Sequence, residues 1–163
     1  MTDARRSLRT KADAPAASRD KLRVASRLGS DYVLRWLKII SDVAEGDLLA
    51  GIISLAIIQA NIGHIDRDGS GEAFEDLETM PPDSVRRPVS VLALSSGLGL
   101  PYETTRRHVA KLIAVGFCVR VKGGVIAPGS VLDGEANRRG LDRHMVSLRR
   151  LFRDLKAAGV ALD

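Results

Sequence analysis

The sequence predicts a mainly α chain with one small β-hairpin, and three observations carry that prediction. Apolar residues recur at helical spacing in several separate stretches, the period switches from helical to alternating at Phe117, and Gly123-Gly124 follows the switch closely. The 163 residues suit one compact domain with a loose arm, and 45% apolar with 28% charged residues is ordinary for a soluble protein.

Residues 1–28 form a basic arm rich in Arg, Ala, Ser and Asp. With hardly a large apolar side chain it has little surface to bury, so the expectation is disorder. The arm lacks the continuous apolar run of a secretory signal, and its acids argue against a transit peptide. From Asp31 the composition turns apolar. Tyr32, Val33, Trp36, Leu37, Ile40 and Val43 make a helical stripe that ends near Gly46. Asp47 then caps a second helix, Leu48 to Ile62, apolar nearly all round but too short to span a bilayer, which takes about twenty residues. Residues 29–63 are thus a helical pair serving the core or a dimer contact.

Residues 64–87 read as an acidic, flexible connection. Within it Asp66, Asp68, Ser70 and Gly71 imitate a calcium-binding loop. The twelfth position, which must offer a bidentate carboxylate, is Leu77, and Met80-Pro81-Pro82 cuts the following helix short; no calcium site is expected.

Residues 88–128 are the most informative stretch. Ser90 can cap a short helix with Val91, Leu94 and Leu98 inward, and Gly97 and Gly99 stop it. A second helix, about 101–115, starts near Pro101, with Glu103 at the positive end of its dipole. Val109, Leu112, Ile113 and the Thr105 methyl face inward, and Gly116 closes the helix as a left-handed cap. Phe117, Val119 and Val121 then alternate with Cys118, Arg120 and Lys122. Gly123-Gly124 is read as a two-residue turn, and Val125-Ile126-Ala127 returns until Pro128. Helix, turn, helix, strand, turn, strand is the order of a winged helix-turn-helix, flanked here by N-terminal helices and a C-terminal helix.

In Leu98-Gly99-Leu100, Thr104-Thr105, Leu112 and Gly116-Phe117 the chain resembles the winged helix-turn-helix domains of bacterial transcription regulators of the MarR, IclR and GntR groups. About forty residues carry the resemblance, and it singles out no subfamily. Thr105 and His108 depart from it, standing where those groups usually place aliphatic residues, and His108 is expected at the contact between the two helices. The resemblance implies a cytoplasmic, homodimeric, sequence-specific regulator of transcription. It implies no enzyme.

Groove geometry assigns the site, because an α-helix fits the major groove and brings three or four side chains to base edges. Arg106 and Arg107 are placed to pair with guanine, Glu103 to accept from cytosine, and Tyr102 and Thr104 to reach a phosphate or base. Lys111 on the helix, with Arg120 and Lys122 on the wing of residues 117–127, would hold the phosphate backbone. The alternative is a winged-helix module that docks proteins, its basic face meeting an acidic partner.

Charge follows the same division. Residues 1–30 carry net +5, residues 31–80 net −7 and residues 81–163 net +7, so a polyanion should meet the two ends of the chain and avoid its middle. In residues 129–163 an amphipathic helix, Glu135 to Ala158, places Leu141, Met145, Leu148, Phe152 and Leu155 on a heptad-like seam. Packing on the N-terminal helices and pairing with a second subunit both remain open. The lone Cys118 rules out an internal disulfide and fits a reducing compartment. His64, His108 and His144 lie on separate elements, and no zinc spacing, nucleophile elbow or phosphate loop appears, so no cofactor or metal is expected. The apolar helices around Trp36 and Ile52 leave a small-molecule effector open, without naming one.

Overall fold

The computed structural model describes residues 16–65 and 81–160. These are mostly helical, with one small antiparallel hairpin. In chain order they form α1 (Ala16–Val43), α2 (Leu48–Ile62), a 3-10 turn (Asp83–Val85), α3 (Val91–Leu98), α4 (Tyr102–Ala114), β1 (Val119–Val121), β2 (Gly124–Ile126), α5 (Gly129–Leu132) and α6 (Glu135–Ala157). The first half of the basic arm and the calcium-loop imitation at Asp66 to Leu77 lie outside the described residues.

Residues 36–65 and 81–145 make one compact unit. Its core gathers Ile53 and Ile57 of α2, Val89, Leu94 of α3, Val109 and Leu112 of α4, Cys118, Val125, Ala127 and Leu132. The largely apolar composition of α2 explains its place: it packs on α3, α4 and β2, where a polar side chain must find partners of its own. Ile53 and Ile57 are fully buried, each worth about 1.5–3 kcal/mol relative to exposure. Asp47 caps the helix as its sequence suggests, accepting the Ala50 N–H at 2.9 Å. Among the described residues no single helix is long and apolar enough to cross a membrane; α1 and α2 reach the length only together, bent by 96°.

The hairpin pairs Val119 with Ile126, Arg120 with Val125 and Val121 with Gly124. Its two-residue turn is therefore Lys122-Gly123, one residue earlier than the Gly123-Gly124 expected. Gly123 takes the positive φ of the turn, at 94°. Gly124 has a different duty. Val89 bridges Val125 across the hairpin, and a Cβ on Gly124 would lie 2.1 Å from the Val89 carbonyl oxygen. The glycine pair thus serves a turn and a backbone crossing.

The faces of the first strand also differ from expectation. Cys118, expected outward beside Arg120 and Lys122, is buried, whereas Val119 is exposed. The cause is the end of α4. There Gly116 N–H bonds to Ile113 O and Phe117 N–H to Leu112 O, with Gly116 at φ +77°, and Cys118 N–H also reaches Leu112 O. Chain direction is fixed by that cap, and the ladder starts only at Val119.

Residues 81–87, expected within the flexible connection, are anchored by Arg86. Its buried guanidinium donates from Nε to Asp83 at 3.2 Å and from Nη2 to Pro81 O at 3.0 Å. Asp83 also accepts the Gly129 N–H at 2.9 Å, and Arg87 N–H bonds to Asn61 O.

The second unit contains residues 16–35 and 146–160. The helix expected to begin near Asp31 begins at Ala16, so residues 16–28 are not the disordered arm that composition suggests. This stretch holds Ala, Arg, Lys and Leu, all strong helix formers, and Val24, Ala25 and Leu28 are half-buried at helical spacing. Farther along α1, Val33 is 49% exposed, while Tyr32 and Trp36 are half-buried and Ile39 and Ile40 buried. The inward line runs one position away from Val33.

On α6 the leucine seam is only partly inward. Leu155 is buried, but Leu141 and Phe152 are 39% and 51% exposed. Gly140 and Ser147, one heptad apart, are buried instead. In the first unit a Cβ on Gly140 would lie 2.7 Å from Val43 Cγ2; in the second, Ser147 Oγ accepts from Arg35 Nε at 3.2 Å. Small residues at these two positions leave room for the contacts, and the bulkier Leu141 and Phe152 are left exposed.

Candidate nucleic-acid interface

Local chemistry holds α3 and α4 in fixed register. Ser90 Oγ accepts the Ala93 N–H at 3.1 Å and starts α3. Gly97 lies within that helix, and Gly99, at φ +64°, ends it, with Leu100 N–H bonded back to Ser95 O. Pro101 stands just before α4 as its N-cap, so the helix opens at Tyr102.

Thr105, the first departure from the resemblance, is fully buried. Its hydroxyl donates to Pro101 O at 3.2 Å, which satisfies the polar atom and leaves the methyl for the core. His108, the second departure, is half-buried, and its polar neighbours lie on α4 itself and at the start of α2. Its Nδ1–H donates to Thr104 O at 2.9 Å, and Nε2 lies 3.8 Å from the Asp47 carboxylate. The imidazole therefore faces the start of α2.

With Thr105, Val109 and Leu112 inward, α4 turns Tyr102, Glu103, Arg106, Arg107, Ala110 and Lys111 to solvent, and Thr104 is half-buried. The structure brings the expected helix residues onto one element, five of them exposed. Arg120 of β1 and Lys122 of the turn are exposed on the hairpin that follows. Nothing in the core depends on these side chains.

Two of them are joined. Arg106 donates from Nε to Glu103 Oε2 at 2.8 Å and from Nη2 to Oε1 at 2.7 Å. These bonds hold the Glu103 carboxyl below its ordinary range and lift the Arg106 guanidinium above its own. The sequence reading assigns the two residues to separate bases and overlooks the pair, although acid and base three residues apart on a helix are neighbours. Burial, by contrast, pushes the Cys118 thiol up, which suppresses the reactive thiolate.

Asn61 also escapes the sequence reading. Its side chain donates to Arg87 O at 2.8 Å and Val125 O at 3.2 Å and accepts from Ala127 N–H at 2.9 Å, fastening β2 to α2. A polar side chain in a largely apolar helix is the signal, one that Asn61 shares with Ser54 and Gln59. Among the described residues no group of three or more His, Cys, Asp or Glu is gathered as metal ligands would be. Comparison with protein-family models, with curated proteins and with solved structures gave no match.

Proposed function

We infer that this chain is a winged helix-turn-helix protein that binds duplex DNA sequence-specifically and regulates transcription by occupying a promoter. The single observation that carries the reading is the outward face of α4. Arg106, Arg107 and Lys111 stand exposed on a helix locked to α3 by the Gly99 turn, and a hairpin bearing Arg120 and Lys122 follows at once. In this reading α4 enters the major groove and the hairpin lies on the phosphate backbone. The net +7 of residues 81–163 supports a polyanionic partner. A homodimer reading two half-sites about one helical turn apart belongs to the same reading.

The experiment is binding of the purified chain to duplex DNA from its own upstream region, against scrambled competitor, over a salt series. The expected result is tight binding that survives competitor and weakens as salt rises. Equal weak binding to both duplexes would overturn sequence specificity. No binding at low salt would instead favour protein docking, for which Leu92 and Val115, 64% and 78% exposed, supply apolar contact surface.

A further inference from the structure

The Glu103–Arg106 pair changes what each residue can do at a base edge. A guanidinium has two edges that can each form a pair of parallel hydrogen bonds, one through Nε and Nη2 and one through Nη1 and Nη2. Glu103 occupies the first with both carboxylate oxygens, at 2.8 and 2.7 Å. The second points away from the carboxylate and retains its donors.

Guanine presents O6 and N7 side by side in the major groove, the acceptor pair that the free edge fits. A cytosine amine needs an acceptor that reaches it, and the pair with Arg106 turns both Glu103 oxygens along the helix, leaving only their remaining lone pairs for such a contact. Its neighbours on α4 favour close approach: Ala110, exposed one helical turn beyond Arg106, carries only a methyl group. An unbraced arginine must give up side-chain freedom on meeting a base, whereas a braced one has lost part of it beforehand.

We propose that Glu103 is a positioning residue that braces Arg106 to read one guanine in the major groove. The inference rests on the DNA-binding reading above. It reverses the sequence-based role of Glu103, from reader of cytosine to support of a guanine reader, and it makes the target a duplex with a required guanine. Glu103 carries a second consequence: its negative charge opposes phosphate, so it sharpens discrimination while lowering general affinity.

The test selects binding sites from duplexes of randomised sequence with the full-length chain, its Arg106→Ala variant and its Glu103→Gln variant. Melting temperature is followed in parallel. The wild type is expected to select a fixed guanine, and 7-deazaguanine there, which lacks the N7 acceptor, should weaken binding about tenfold. Arg106→Ala should lose preference at that position alone. Glu103→Gln should lower the guanine preference at the same position about tenfold, while binding to unrelated DNA rises and melting changes little. Unchanged guanine preference in Glu103→Gln would overturn the proposal, and so would a preference that shifts at a different base pair, since Glu103 would then be reading directly. If the wild type binds DNA but selects no guanine, this proposal falls and the DNA-binding reading stands. If it selects no DNA at all, both fall.

Discussion

The side-chain oxygen of Asn61 accepts the backbone N–H of Ala127 at 2.9 Å, across sixty-six residues of sequence. The same side chain donates to the carbonyls of Arg87 and Val125, the latter also accepting the Val89 N–H, so one buried amide engages three backbone groups. Replacement by Leu, close in volume but mute in hydrogen bonding, leaves those groups without this partner. Asn61→Leu is expected to lower unfolding free energy by about 3 kcal/mol. Urea denaturation measures the loss, and hydrogen exchange should show faster opening at the Ala127 amide. Unchanged protection there would refute this role.

Gly124 and Gly123 should respond differently to alanine. At Gly124 the added Cβ meets the Val89 carbonyl oxygen at 2.1 Å, while at Gly123 the nearest neighbour is the Pro88 Cβ at 3.8 Å. Both positions carry the strain of a positive φ, about 1 kcal/mol or more. Gly124→Ala must in addition break the bridge from Val89 to Val125. Its thermal midpoint should fall well below that of Gly123→Ala; equal shifts would show that the crossing can yield.

His144 stacks on Trp36 with ring centroids 3.8 Å apart, and burial lowers its pKa from the ordinary histidine value. A lowered folded-state value means that the unfolded chain binds the proton first. Stability is therefore complete above the unfolded value of about 6.5 and declines as pH falls below it, until the folded state also takes up the proton. His144→Phe should keep the stack and flatten the slope between pH of about 6.5 and the lowered folded value. Urea midpoints across that range decide the matter, and an unchanged slope would exclude His144 as its source.

Lys111, Arg120 and Lys122 have the exposed positions expected of phosphate contacts. Each changed to Ala should weaken binding to all duplexes alike and reduce the slope of log affinity against log salt by about 0.9 for every phosphate no longer neutralised. A variant that alters base preference instead would belong with the α4 residues that the proposed function sets in the groove.

The sequence makes the local elements legible and the long-range ones obscure. α2 and α4 follow from caps at Asp47 and Gly116 and from apolar periods, all contained within a few residues. The outward set on α4 is visible for the same reason. Cys118 and Val119 exchange their expected faces because the strand inherits its direction from the preceding cap, which alternation alone does not encode. The seam of α6 departs from its heptad pattern because burial follows Gly140 and Ser147, whose value lies in how closely another helix can approach. Asn61 acts through partners far along the chain, and the anchor at Arg86 reaches the start of α5 through Asp83; no local spacing announces such links.

The outward face of α4 is free of duties toward the core. Thr105, Val109 and Leu112 hold the helix from behind, and apart from His108 the positions between them are structurally unspoken for. Glu103, Arg106, Arg107, Ala110 and Lys111 form a replaceable alphabet on a fixed carrier. Such a chain can acquire a new target by surface substitution alone, with its melting behaviour nearly untouched, so closely related copies could diverge in what they recognise long before they diverge in how they fold.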